Sequence, residues 1–431
     1  MVRLTYLLVF VILSLLTLPA EGSFRFSQNS PEISGFSEIL YGPKFGTDTT
    51  KHSRYNALEQ RLQLKTSVYP EFSDLLADWM AELAFRGDFT IDQYFSSKTG
   101  FELRELNLSF TPQNWVDLKI GRQVFTWGTG DYLFINDLFP KDYVSFYIGR
   151  HDEYLKKPSD GMKFSLYHQK VNFDLILIPF FEPNTLFSGD RLSFFDSFRG
   201  GISGRDSDRH LVEPARTLSN MEYSARFFRN FSSLETALYL FRGFDKMPRG
   251  YLNEANRDLF YPRLNVYGLS LRGPFLGGIS NFEFGYYDSP QDSSGDNRLI
   301  ENSKAKYLFG YAKDLGNDLS WGAQYFYEQT LDYDEYRRAL LPSDFRWDQF
   351  RHLTTLRLTK LLFEQTLRLN LFAFFSPSDR DGYLRPSVSY DFSDRTNITV
   401  GANLAWGEDD YTEFGQMENN KNVFFRVRYS F

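Results

Sequence analysis

The chain has 431 residues, of which 45 are Phe and 27 Tyr, so that aromatics make up 18% of the sequence; this length is too great for one ordinary soluble domain and suits one large barrel. It carries no cysteine, which excludes disulfides and thiolate metal sites. The formal net charge of −7 argues against a nucleic-acid partner.

In chain order the first feature is an export signal. Arg3 precedes an apolar run from Leu4 to Leu18, broken only by Thr5, Ser14 and Thr17, and Pro19, Ala20 and Gly22 follow. A basic start, an apolar stretch and small residues make a secretory signal peptide, and the run is shorter than the roughly 20 residues a helical span needs. Residues 1–20 are read as the signal peptide, with cleavage after Ala20 or alternatively after Gly22, and residues 21–431 as the mature domain.

From there, short segments with a side-chain period of two recur. They fall at 33–41, 55–68, 77–89, 101–110, 115–125, 161–168, 171–178, 220–228, 234–242, 263–272, 279–288, 304–313, 319–329, 350–360, 365–376, 383–391, 397–406 and 422–431. In the second of these, Leu58, Leu62, Leu64, Thr66 and Val68 face one way, and Glu59, Arg61, Gln63 and Lys65 the other. Connections alternate in length. Short ones at 111–114, 169–170, 230–233, 273–278, 314–318, 361–364 and 392–396 interleave with longer ones at 42–54, 127–160, 179–219, 243–262, 289–303, 330–349 and 407–421. The expectation is an all-β fold, a single up-and-down antiparallel transmembrane β-barrel of about 18 strands with both termini on the short-turn side. Pro386 conflicts with its segment because it removes a ladder donor; a bulge would absorb it, or the strand would start later.

A water-filled lumen follows from the charges on the inward face. These are Glu59, Arg61, Lys65, Glu82, Arg86, Glu105, Asp117, Lys119, Glu222, Arg226, Glu235, Glu283, Arg368, Arg426 and Arg428. Unpaired charges are too costly for a dry core, and a barrel this wide holds an aqueous channel. The same charges also fit cross-strand ladders that select nothing.

The 127–160 connection carries the internal motif. Gly121-Arg122-Gln123-Val124-Phe125-Thr126-Trp127-Gly128 leads into Asp131 and then Ile135-Asn136-Asp137-Leu138-Phe139-Pro140-Lys141-Asp142. Gly128 and Gly130 permit a sharp reversal. Tyr132, Phe134 and Phe139 are expected to anchor the segment against the lumen wall, leaving Asp131, Asp137 and Asp142 at a constriction. The blander alternative is turn capping in a solvated outer loop. The spacing is not that of a calcium loop, and no metal is expected.

These residues resemble a family of bacterial outer-membrane barrels of largely uncharacterised function, distantly similar to alginate-export channels. Members show a Gly-Arg-Gln strand end, Trp-Gly, an Asp, and an Asp-x-x-Asn-Pro-x-Asp stretch; this chain departs at Phe139, where the family has Asn. Gly35-Phe36-x-Glu38, Leu103-Arg104-Glu105 and the surroundings of Pro262, Tyr267 and Gly268 are similar as well. The resemblance implies a Gram-negative outer-membrane protein.

The chain closes on Val423, Phe425, Val427, Tyr429 and Phe431, alternating with Phe424, Arg426, Arg428 and Ser430. Arginines on one face and apolar residues on the other fit a wall that is wet inside and lipid-facing outside. This strand resembles the C-terminal signature of bacterial outer-membrane proteins, which implies the barrel-assembly machinery as a partner. No catalytic constellation is expected: the five histidines, His52, His151, His168, His210 and His352, lie scattered, and there is no Gly-x-Ser-x-Gly, P-loop or His-Glu-x-x-His motif. No cofactor is expected. The expected partners are the outer-membrane bilayer and a small-molecule solute. The expected function is a porin-like channel for small polar or charged solutes or oligosaccharide. Two alternatives stand beside it: a conduit for hydrophobic compounds, for which inward Phe372 and Phe374 speak, and an adhesion barrel binding partners through its long loops.

Overall fold

The computed structural model describes residues 25–26, 33–45, 54–71, 80–95, 99–253, 257–342, 344 and 346–431. The signal-peptide reading of residues 1–20 lies outside these, as do residues 77–79 of the third expected strand.

Alternating side chains over most of the chain leave one way to bury both strand edges and keep charges wet, and that is to close the sheet on itself. The chain forms a closed antiparallel barrel of 18 strands. They are β1 (Ile33–Pro43), β2 (Tyr55–Val68), β3 (Met80–Asp92), β4 (Gly100–Gln113), β5 (Val116–Gln123), β6 (Ser159–Leu166), β7 (Asn172–Ile178), β8 (Glu222–Phe231) and β9 (Leu234–Phe244). The second half comprises β10 (Arg263–Phe275), β11 (Gly278–Asp288), β12 (Lys304–Asp314), β13 (Leu319–Thr330), β14 (Phe350–Leu362), β15 (Leu367–Ser376), β16 (Asp381–Ser393), β17 (Thr396–Gly407) and β18 (Asn422–Ser430). Each strand pairs with the next in sequence, and β18 closes the ring on β1 in register from Phe36↔Ser430 to Tyr41↔Phe425.

The two faces differ as a membrane barrel requires. Outward positions carry Ile39, Leu62, Leu238, Leu240, Leu356, Leu369, Val388 and Val400, all exposed. Exposed aromatics flank this aliphatic belt: Phe231, Phe275 and Phe392 toward the short turns, and Phe89, Phe101, Tyr223, Tyr267, Phe350, Phe375 and Trp406 toward the long loops. Inward positions carry the charges.

Three local departures from a regular wall have identifiable causes. In β4 the register steps from Arg86↔Glu105 to Gly87↔Leu103, so Arg104 is an extra residue and both Arg104 and Glu105 face the lumen. From outside, Arg122 donates to the Leu103 carbonyl at 2.7 Å and pairs with Asp160 at 3.1 Å, which fastens the bulge and gives the Gly-Arg-Gln stretch a structural job. Gly121 sits at φ +124°, where a Cβ would run into the Leu106 carbonyl. Pro386 is accommodated without either expected remedy: it faces Leu371 of β15 in unbroken register, while the ladder to β17 lapses between Leu384↔Leu404 and Ser387↔Gly401. Finally, β5, β6 and β7 run only 8, 8 and 7 residues, against 14 in β2 and β4.

Candidate functional site: a segment folded into the lumen

Residues 124–158 join β5 to β6, and they run through the barrel rather than over its rim. The path turns at Gly128, φ +83°, and meets the β11 wall at Glu283. That carboxylate is fully buried and accepts from Gly130 N at 2.9 Å, the Thr129 hydroxyl at 2.9 Å, Asn136 N at 3.2 Å, Asn136 Nδ2 at 2.8 Å and Thr129 N. Amide and hydroxyl donors carry out the neutralisation that a cation performs in an ordinary ion pair.

Beyond this clamp the segment crosses the lumen. Asp131 N donates to Gln324 of β13 at 3.2 Å, and Arg357 of β14 donates to the Asp131 carboxylate at 3.2 Å. Tyr132 packs edge-on against Phe372 of β15 at 4.7 Å and against Phe146 at 5.4 Å, and its hydroxyl donates to Asp152. Phe134 lies under the Lys141 ammonium at 4.6 Å. The fully buried Ile135 and Leu308 of β12 belong to the same apolar cluster. Phe139 packs between Phe125 at 5.5 Å and Trp127 at 5.2 Å.

The return path holds a short helix, α1 (Tyr143–Ile148), begun by Asp142, whose carboxylate accepts from Ser145 N at 3.1 Å. It ends at Gly149, φ +85°, where a Cβ would strike the Phe424 ring. From there, charged and aromatic residues bind successive strands. Arg150 pairs with Glu59 of β2 at 2.6 Å and Asp152 with Arg385 of β16 at 3.0 Å. Glu153 pairs with Arg428 of β18 at 2.9 Å. Tyr154 donates to Asp88 of β3 at 2.7 Å beneath the Arg61 and Arg104 guanidiniums.

The structure places the candidate residues as follows. Asp131 is partly open to the lumen; burial pushes its carboxyl up, against the pull of Arg357 and Arg272. Asp137 is buried between Lys141 at 2.9 Å and Lys156 at 3.6 Å and accepts from the Thr126 hydroxyl at 2.8 Å. Asp142 caps α1 and lies 3.5 Å from Arg150. Tyr132 and Phe134 flank the same apolar cluster. Of the wall charges, Arg61 pairs with Asp88 at 2.7 Å, Arg86 with Glu105 at 3.4 Å and Arg226 with Glu235 at 2.7 Å. Glu82 accepts from Ser67 at 2.7 Å, Glu222 binds Lys246, and Arg428 and Arg426 approach Glu38 at 2.7 and 3.8 Å. Arg368 is exposed, and has no ion pair among the described residues.

Sequence reasoning placed Glu59 and Glu283 inward without singling them out. It gave no role to Arg150 and Arg191, because loop arginines carry no periodic signal. A second inward segment, residues 179–221, covers the first: Thr185 N donates to the Lys141 carbonyl at 2.8 Å, and Lys141 N to Asn184 Oδ1 at 2.7 Å.

No protein-family model matches the sequence, and no curated protein matches it. Solved structures do match. OccK11 (OpdR) of Pseudomonas aeruginosa aligns with a TM-score of 0.51 at 9% identity, over 93% of this chain and 95% of that one. OccK5 (OpdH) of the same organism gives 0.50 at 11% identity, over 93% and 97%. Salmonella typhi OmpF, solved with daunomycin, gives 0.45 at 8% identity, over 94% and 98%. At such identities the likeness to the two OccK proteins establishes a shared barrel fold.

Proposed function

We propose that this barrel is a porin-like channel of the Gram-negative outer membrane, passing small polar or charged solutes or oligosaccharide. The observation that supports this most is the segment 124–158, a chain inside the lumen fastened to strands on all sides. It narrows a wide barrel while leaving Asp131, Asp152 and Arg357 facing water. Toward the short turns the inward face offers Lys65, Lys119, Arg272 and Arg368, none with an ion pair among the described residues. Fixed charges of both signs in a confined path of low dielectric act on a solute more strongly than at an open surface. The filter is therefore one of width and of charge arrangement, with Asp131 at the narrow part and, beyond it, a vestibule in which these cations stand among Glu82, Asp117 and Glu235. Lipid would cover the outward belt, and the closing strand would be the handle for the assembly machinery.

The conduit reading for hydrophobic compounds rested on Phe372 and Phe374. Both are buried beneath Tyr132 and Phe146, and they offer no apolar surface to a passing molecule. Planar-bilayer recording tests the channel: deleting residues 132–142 should raise single-channel conductance over wild type. Unchanged conductance in that deletion would place the narrow point elsewhere, and a barrel that never conducts in either form would favour adhesion through the outer loops.

A further inference from the structure

We infer that Glu59 is the joint that holds two separate inward segments as a single closure of the lumen. The inference rests on the channel reading and concerns how that channel is kept narrow.

Glu59 lies at an inward position of β2 and is almost wholly buried. Its carboxylate takes both arms of Arg150, at 2.9 Å from Nε and 2.6 Å from Nη2, in the two-pronged geometry that suits guanidinium and carboxylate. The same carboxylate accepts from Arg191 at 2.9 Å and lies 3.7 Å from Arg61. Arg150 belongs to the segment 124–158, and Arg191 to the segment 179–221. One wall residue thus binds both.

The alternatives left to each arginine differ. Arg61 keeps Asp88 at 2.7 Å. Arg191 keeps Asp92 and the Asn56 carbonyl, both at 2.6 Å. Arg150 keeps only Asp142, at 3.5 Å, and the Ser145 hydroxyl. Removing the Glu59 charge leaves buried cations short of an anion, and such a site relieves itself by moving the cation toward water. The first segment loses its hold on β2 and the second loses half of its own, so both loosen together. Of the three arginines Asp92 holds only Arg191, its other carboxylate oxygen accepting from Tyr94 N and Phe95 N beside it, so its loss loosens the second segment and leaves the first on Glu59.

The test compares Glu59→Gln, Glu59→Asp and Asp92→Asn in the full-length barrel, read by bilayer conductance and by trypsin. In Glu59→Gln, conductance should rise with frequent transitions, and trypsin should cut the folded barrel after Arg150 or Lys156 and also after Arg191. Glu59→Asp should return both readouts toward wild type, and Asp92→Asn should open only the Arg191 site. The exposed stretch 205–217 is open to trypsin in every variant, so the joint is judged by new cuts alone: in Glu59→Gln, a new cut at Arg191 without one at Arg150 or Lys156, the reverse, or neither, overturns it. The trypsin pattern does not depend on conduction, so a silent wild-type barrel would sink the channel reading while leaving the joint to be judged by cleavage. A second measurement does not rely on Glu59→Gln assembling. The chain has no cysteine, and Asp142 bridges Thr185 across the two segments. In Asp142→Cys/Thr185→Cys, oxidised and reduced forms should conduct alike; a difference shows the segments moving separately and overturns the proposal.

Discussion

Asp131 differs from the two other acidic residues of its segment in what surrounds it. Its carboxylate meets Arg357 at 3.2 Å with part of its surface in the lumen, whereas Asp137 and Asp142 are taken up by Lys141 and by the start of α1. Asp131→Asn should lower cation preference in reversal-potential measurements, with conductance little changed. Burial raises its carboxyl, so as pH falls it takes up a proton before an exposed aspartate does, whose ordinary value is about 3.9. Cation preference should therefore fade on acidification at a pH above that value, and a titration of selectivity locating the loss at or below it would contradict the burial argument. Asp137→Asn should act on stability instead. It strands the buried Lys141 ammonium, a change in the class that costs roughly 3–5 kcal/mol, and denaturant unfolding should register it without a shift in selectivity. Sequence alone marked all three positions as acidic loop residues; which one caps a helix depends on Ser145 N lying within reach, and no spacing rule for the loop encodes that.

At the scale of elements, the closing strand makes a facing prediction. Val427 points outward from β18, and Arg426 points inward, where it donates to the Gly149 carbonyl at 3.2 Å. Val427→Arg should cost roughly 2–4 kcal/mol if its level is near the bilayer midplane, read as impaired folding into lipid vesicles. Arg426→Val should lose one contact to the lumen segment and still assemble. Equal behaviour of the two would reverse the facing. Strands such as β2 and β18 were legible because a period of two is imposed by the backbone itself, so each residue votes on its face. Pro386 looked like a defect because the sequence does not say that the ladder on one side can lapse for two residues. The segment 124–158 was legible as an aromatic and acidic stretch with glycine reversals. Its route was not, since its fastenings to Glu283, Arg357 and Arg428 join residues far apart in the chain, and no local pattern records them.

For the whole molecule, topology decides what is reachable from outside. Residues 205–217 in the second segment are largely exposed, while Leu192, Ser193 and Phe194 beside them are buried. Protease added to intact cells should cut within 205–217 and spare the β12–β13 turn at residues 315–318; cleavage confined to that turn would invert the barrel. The short strands β5, β6 and β7 carry a different consequence. At roughly 3.3 Å per residue, 8 residues span about 26 Å of strand, against about 46 Å for the 14 of β2 and β4. The strand wall is thus lower along one arc of the cylinder. Hydrocarbon meeting that arc must thin, or the whole body must lean until the low side sits level. On the proposed outer-membrane reading the barrel is a wedge in the bilayer: in vesicles of lengthening acyl chains its axis should tip progressively toward β5–β7, and polarised infrared dichroism of oriented bilayers should follow the tilt.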